Sequence, residues 1–366
     1  YGDHRDLHLS IRRQRQMCIR DRTLSVAYAD PKKVGFIYIG PPGDHGWTYM
    51  HDVGRKYMES QLGDSVTSTY IEGVPENADA VRAIRKLASS GHDLIFTTSF
   101  NYMDQTLEVA SEFPNVMFEH ATGYKRADNV STYSARFYEG RTIIGHIAGH
   151  MSKTGTVGYI ASFPIPEVVR GINAFYLAAS KVNPDIKIKV IWAFTWYDPG
   201  KEADAANTLI NQGADIIVQH TDTFAPCQAA EKAGVLAFGQ ASNQEEFCPN
   251  AHLTAIEDIW GPYYAKRAKA VVDGTWASQD TWEGMADGMV VMSPYNSKLM
   301  SADLIQEAIN MEIAIKDGTL HPFAGPIYNQ AGELVVPEGQ NADDGMLAGM
   351  GFYCLLYTSP SPRDRG

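Results

Sequence analysis

Aromatic rings recur beside hydrogen-bonding side chains along this sequence. Asp44, His45, Trp47 and Thr48 stand together, as do Ser99, Phe100, Asn101 and Tyr102. Further on come Glu119-His120, Arg136-Phe137-Tyr138, Phe163 with Glu167, Trp196-Tyr197-Asp198 and His220 with Asp222 and Phe224. Gln240 with Asn243, then Glu257-Asp258 with Trp260, complete the set. Such groups suit a flat, uncharged ligand stacked between rings, its edge read by amides and carboxylates. Catalysis fits less well. Ser162, His220 and Asp222 are the residue types of a nucleophilic hydrolase, but no G-x-S-x-G turn frames the serine. Glu119 and Asp258 are the types of a glycosidase acid/base pair, and nothing in their flanks favours that pairing. The expectation is a binding protein with no catalytic residue. No metal is expected either, because no Cys-x-x-Cys pair or His/Cys cluster offers a zinc site.

These groups follow short apolar runs. Strands are expected over 33–39, 66–71, 94–98, 116–119 and 130–135, with amphipathic helices over 49–62, 77–90 and 104–112 between them. The pattern then starts afresh, with strands over 156–161, 188–195, 216–220, 235–239 and 253–256 and helices over 166–182, 200–212, 225–233 and 261–273. Alternating strands and helices imply parallel sheets covered on both faces. The fold class is therefore α/β, with two doubly wound parallel-sheet lobes and a central ligand cleft. The N-terminal lobe is expected to comprise 30–150 and 281–353, and the C-terminal lobe 151–280, with crossovers at 149–155 and 274–280. Ligands of open α/β sheets bind outside the carboxyl ends of the strands, where the rings stand. The first such loop, Gly40–Trp47, matches neither dinucleotide nor P-loop fingerprints, and its two prolines remove amide donors, so no nucleotide cofactor is expected.

The 366 residues are 44% hydrophobic with a formal charge of −12, which fits a two-lobed globular protein and argues against nucleic acid as a partner. No stretch reaches the roughly 18 apolar residues of a membrane span. Residues 1–22 and 354–366 differ in composition from the rest. Met17–Asp21 and Cys354–Thr358 can be translated from opposite strands of one adapter-like DNA, so both ends read as scars outside the fold. Residues 23–29 read as the remnant of a secretory signal, with Ala27 and Ala29 before a mature start at Asp30. In an exported protein Cys227 and Cys248 could be bridged or could be two buried thiols, and the sequence leaves both open.

Six ordered strings resemble the basic membrane protein family of periplasmic substrate-binding proteins, which serve ABC importers and include purine nucleoside receptors. They are Val34–Tyr38 with Gly43–Trp47, Phe118–Tyr124, Gly158–Glu167, Tyr197–Glu202, Trp260–Tyr264 and His321–Ile327. The resemblance implies a type I binding-protein fold, a soluble and monomeric periplasmic protein, a purine base or nucleoside as ligand and an ABC permease as partner. Trp47 would be one of the stacking aromatics, Thr48 stands where an Asn is common, and Asp258 matches the acidic residue expected on ribose hydroxyls. The ligand set expected overall is Asp44, Trp47, Thr48, Phe100, Tyr102, Glu119, Phe163, Trp196, His220, Gln240, Asp258 and Trp260. Gly284-Met285-Ala286-Asp287-Gly288 departs from the family's Gly-Leu-Lys-Asp-Gly, and loss of that Lys favours a free base such as adenine. The alternative within the same fold is the ligand-sensing domain of a signalling or regulatory system.

Overall fold

The computed structural model describes residues 30–354. The expected leader remnant at 23–29, the N-terminal scar and residues 355–366 lie outside the described residues.

Two six-stranded sheets organise the body that begins at Lys32. The first has the order β2-β1-β3-β4-β5-β11, built from β1 (Lys32–Ile37), β2 (Val66–Ile71), β3 (Leu94–Thr97), β4 (Met117–Ala121), β5 (Val130–Ala135) and β11 (Asp280–Glu283). All its pairings are parallel. The second has the order β7-β6-β8-β9-β10-β12, from β6 (Thr156–Ala161), β7 (Lys187–Trp192), β8 (Ile216–Gln219), β9 (Leu236–Ala241), β10 (His252–Asp258) and the antiparallel edge strand β12 (Val290–Met292). In each sheet the chain reverses its direction of travel beside the first strand, between β1 and β3 and between β6 and β8. These switch points open crevices at the carboxyl ends.

The helices form where capping and apolar spacing agree. Asn77 caps α2 (Ala78–Ser89), accepting from the Asp79 N–H, and Ala80, Ile84, Leu87 and Ala88 give the helix one buried stripe. Asp198 caps α6 (Pro199–Asn211), accepting from the Lys201 N–H, with Pro199 at the first helical position. Each sheet is covered on both faces: Phe36, Phe96 and Tyr133 pack on one side of the first sheet, Ile37, Ile95 and Phe118 on the other.

The course of the chain between sheets differs from expectation. The first passage comes at Arg136, directly before α4 (Phe137–Met151), which packs on α5 (Pro166–Val182), β10 and β12 of the second sheet. Most of this helix is buried, including its central Ile143, Ile144, Ile147 and Ala148, so its amphipathic signal is weak. Gly140, Gly145 and Gly149 let it lie close to its neighbours: a Cβ at Gly145 would strike the Phe175 carbonyl. The second passage follows β10, because α8 (Gly261–Val272) packs on β1 and on α1 (Trp47–Leu62) of the first sheet. A third lies between β11 and β12. The segment 281–353 therefore does not return to the first lobe as a block. Only β11 pairs there, while α9 (Ala302–Lys316) packs on α4, and α10 (Asp344–Ala348) packs on α5.

Cys354, set outside the fold on sequence grounds, is buried, and its backbone N–H donates to Asn173 Oδ1 at 3.0 Å. That bond needs only a main chain, so it is indifferent to the residue type. Cys227 and Cys248 are paired in a disulfide with Cα atoms 5.8 Å apart.

Candidate ligand-binding cleft

The carboxyl ends of both sheets meet around a narrow cavity of about 20 Å³. From the first sheet come Ile39 and Trp47 after β1, Ser99 and Phe100 after β3, Thr122 after β4 and Phe137 after β5. The second contributes Glu167 after β6, Trp196 after β7, His220 and Asp222 after β8, and Gln240 in β9. Residues flanking both switch points are thus assembled at one place.

The loop after β1 is shaped by Asp44. Its carboxylate accepts N–H groups from Gly46, Thr48 and Tyr49 at 2.9 to 3.1 Å, which places an anion at the N-terminus of α1. A phosphate there would meet a site already filled. Burial nevertheless pushes the Asp44 carboxyl up to about 6. Beyond it the loop crosses to the second sheet: Ser242 Oγ donates to the His45 carbonyl, and a Cβ on Gly46 would strike the Asp222 carbonyl. Only glycine permits that approach.

Trp47 is held as a wall of the cavity. Its Nε1–H donates to the Thr98 carbonyl at 2.6 Å, and its ring stands edge-on to His51 and Trp260. Trp196 leans on Phe163, with ring centroids 5.2 Å apart, and its Nε1–H has no partner among the described residues. His220 Nε2 lies 3.3 Å from Glu167 Oε1 while Nδ1 is unpartnered, and burial lowers its pKa, so the ring is neutral at neutral pH. Gln240 Oε1 accepts from Arg141, whose other Nη donates to the Gln219 carbonyl at 2.8 Å. Asp222 is buried with a carboxyl raised well above its ordinary value by desolvation. The edge of the cavity thus offers unspent hydrogen-bonding capacity.

Backbone strain gathers in the same place. The four non-glycine residues with positive φ among those described are His45, Thr122, Phe194 and Ala241, at 50° to 62°. All lie in loops at, or at the very end of, strands that face the cleft.

Of the expected ligand set, Trp47, Phe100, Trp196, His220 and Gln240 line the cavity. Phe163 stands behind Trp196. The others are built into the scaffold. Asp44 caps α1, and Thr48 Oγ1 accepts the Gly40 N–H at 3.2 Å. Tyr102 OH donates to the Val74 carbonyl at 2.5 Å. Glu119 is fully buried, accepting from Arg267 Nε at 2.5 Å, Tyr263 OH at 2.6 Å and Trp276 Nε1 at 2.7 Å. Trp260 stacks on His51 at 4.9 Å. Asp258 is buried outside the lining, with both oxygens unpartnered and its carboxyl raised by desolvation and by the nearby Glu167. Ala286, at the place of the family's Lys, is exposed on the third passage. Ser162 Oγ has no hydrogen-bond partner, so it is not engaged by His220 or Asp222.

Glu167, Asp222, Phe137 and Ser99 stand at strand ends legible in the sequence but were outside the expected set, and Ile39 and Thr122 gave no chemical signal. No helix among the described residues is long and apolar enough to cross a membrane.

Comparison with known proteins agrees with this architecture. The family described as ABC transporter substrate-binding protein, PnrA-like, matches residues 31–321. A purine-binding protein of Brucella abortus (strain 2308) is 57% identical over 328 residues, covering 89% of this chain and 93% of that one. A Haloferax volcanii protein, provisionally named as an ABC transporter glucose-binding protein, is 33% identical over 312 residues, covering 85% and 79%. Among solved structures, an ABC transporter solute-binding protein from Aeropyrum pernix K1 shares the fold with a TM-score of 0.69 at 19% identity, covering 80% and 93%. The chain belongs to the PnrA-like family of ABC transporter substrate-binding proteins, whose members bind small molecules for a transporter and are not enzymes.

Proposed function

We propose that the protein is the periplasmic, monomeric receptor of an ABC importer and that its cleft captures a purine base or nucleoside. The observation that carries this reading is the pairing of Trp47, from the first sheet, with Trp196, from the second, on one cavity. Two indoles on one cavity fit a planar heteroaromatic ligand, whose π faces can each meet a ring. Around them Gln240, Glu167, Asp222 and His220 supply the acceptors and donors that a purine edge requires. The Brucella abortus relative supports the ligand class. Closure of the two lobes would bury the ligand and present one shape to the permease.

The proposal favours a free base over a nucleoside. Asp258, the expected partner of ribose hydroxyls, lies outside the lining, although its unpartnered carboxyl keeps the nucleoside in contention. Titration calorimetry with adenine, adenosine, guanosine and glucose tests both levels. Binding of a purine with no heat from glucose is expected, with adenine tighter than adenosine. Glucose binding with no purine binding would refute the ligand class and leave the family membership untouched.

A further inference from the structure

A cluster outside the cleft remains unexplained. His146 and His150 stand one turn apart on α4, so their side chains share a face. Most of that helix is buried, and these two residues lie on the part that reaches solvent, His146 half-buried and His150 exposed. Glu307 of α9 meets them there. Its Oε2 lies 2.9 Å from His146 Nε2 and 3.5 Å from His150 Nε2. The two imidazole rings are 4.8 Å apart at 66°, and both aim at the same carboxylate oxygen. Glu307 lies 161 residues from His146 along the chain, so the sequence shows only the histidine pair of this cluster.

We propose that His146, His150 and Glu307 form a binding site for a zinc-type divalent transition metal that clasps α9 to α4. The ligand atoms all lie within 4.8 Å of one another. A tetrahedral zinc with bonds of about 2.0 to 2.1 Å places its ligands roughly 3.3 Å apart. The two separations from Glu307, 2.9 and 3.5 Å, bracket that edge, and the two imidazole nitrogens lie within 4.8 Å of each other. Two imidazole nitrogens and one carboxylate oxygen are the donor set of zinc and its neighbours, not of calcium or magnesium, which take oxygen. Three protein ligands leave the fourth position to water. A surface ion pair would need only one imidazole and would contribute little, so it leaves the second histidine without a purpose.

Calorimetric titration of the tag-free full chain with zinc chloride, after dialysis against a chelator, tests the site, with calcium chloride as the control. One zinc equivalent per chain is expected, with no comparable heat from calcium. The His146→Ala/His150→Ala double variant should lose this binding. His150→Gln, a single change at an exposed position, and Glu307→Gln should each weaken it by at least roughly tenfold, about 1.4 kcal/mol. Unfolding curves without metal establish that each variant is folded. Zinc binding equal in the wild type and His150→Gln, or no zinc binding by the wild type, would overturn the proposal.

Discussion

At the scale of single residues, position after a strand says where a side chain stands but not which way it turns. Glu119 illustrates this. The sequence puts it at a strand end, yet it lies in the middle of β4, and three donors from α8 and the segment after it hold its carboxylate inside the first lobe. Glu119→Ala would strand the Arg267 guanidinium in the core. A loss of about 3 to 5 kcal/mol in urea unfolding is expected, the cost of breaking a buried ion pair from one side. Binding by the fraction that remains folded should be unchanged. An intact fold with weakened binding would return Glu119 to the ligand set. Trp47 and Trp196 were legible as indoles that follow strands, a signal that does not by itself select them, since Trp260 follows β10 and packs on His51. Asp222 and Glu167 were harder to choose, since carboxylates are common in loops and only the tertiary structure shows Asp222 buried and Glu167 half-buried against the cavity.

At the scale of elements, amphipathic helices and apolar strands announced themselves within a few residues of their true bounds. The element that escaped was α4, buried along most of its length and interrupted by glycines, because its neighbours cover all but the stretch bearing His146 and His150. Strand β4 carries a second consequence of burial. His120 bonds Thr97 Oγ1 at 3.0 Å through Nδ1, has no partner for Nε2, and burial depresses its pKa to about 4. As pH falls from about 6.5 towards 4 the unfolded chain takes up this proton first, so stability is lost across that window. His120→Asn should remove this loss. The gap in stability between variant and wild type should shift in the variant's favour by about 2 to 3 kcal/mol between pH 7 and pH 4.5. A gap independent of pH would mean that His120 titrates normally in the fold.

The Cys227–Cys248 bridge joins the start of α7 (Ala225–Ala233) to the loop before β10, across 21 residues. Closing a loop of that size stabilises by roughly 3 kcal/mol through the unfolded chain. Urea unfolding with and without reductant should differ by about that much, and identical curves would mean that the thiols are not bonded in solution.

For the whole molecule, two successive α/β series were enough to read two sheets with a cleft between them. They were not enough to read how the chain passes from one to the other. Crossing points are set by which face a helix covers, as with α8 on β1 and α4 on α5, and by the split of 281–292 into strands of different sheets. None of these leaves a local signature. The same passages bring the carboxyl ends of both sheets to a single cavity, and the central claim concerns what it holds. Native mass spectrometry of the protein mixed with equimolar adenine, adenosine, guanosine and glucose measures this in one experiment. A one-to-one purine adduct is expected on the wild type, weakened roughly 5- to 150-fold in Trp47→Ala, the equivalent of about 1 to 3 kcal/mol of stacking. A glucose adduct without a purine adduct, or purine retention unchanged in Trp47→Ala, would contradict the account.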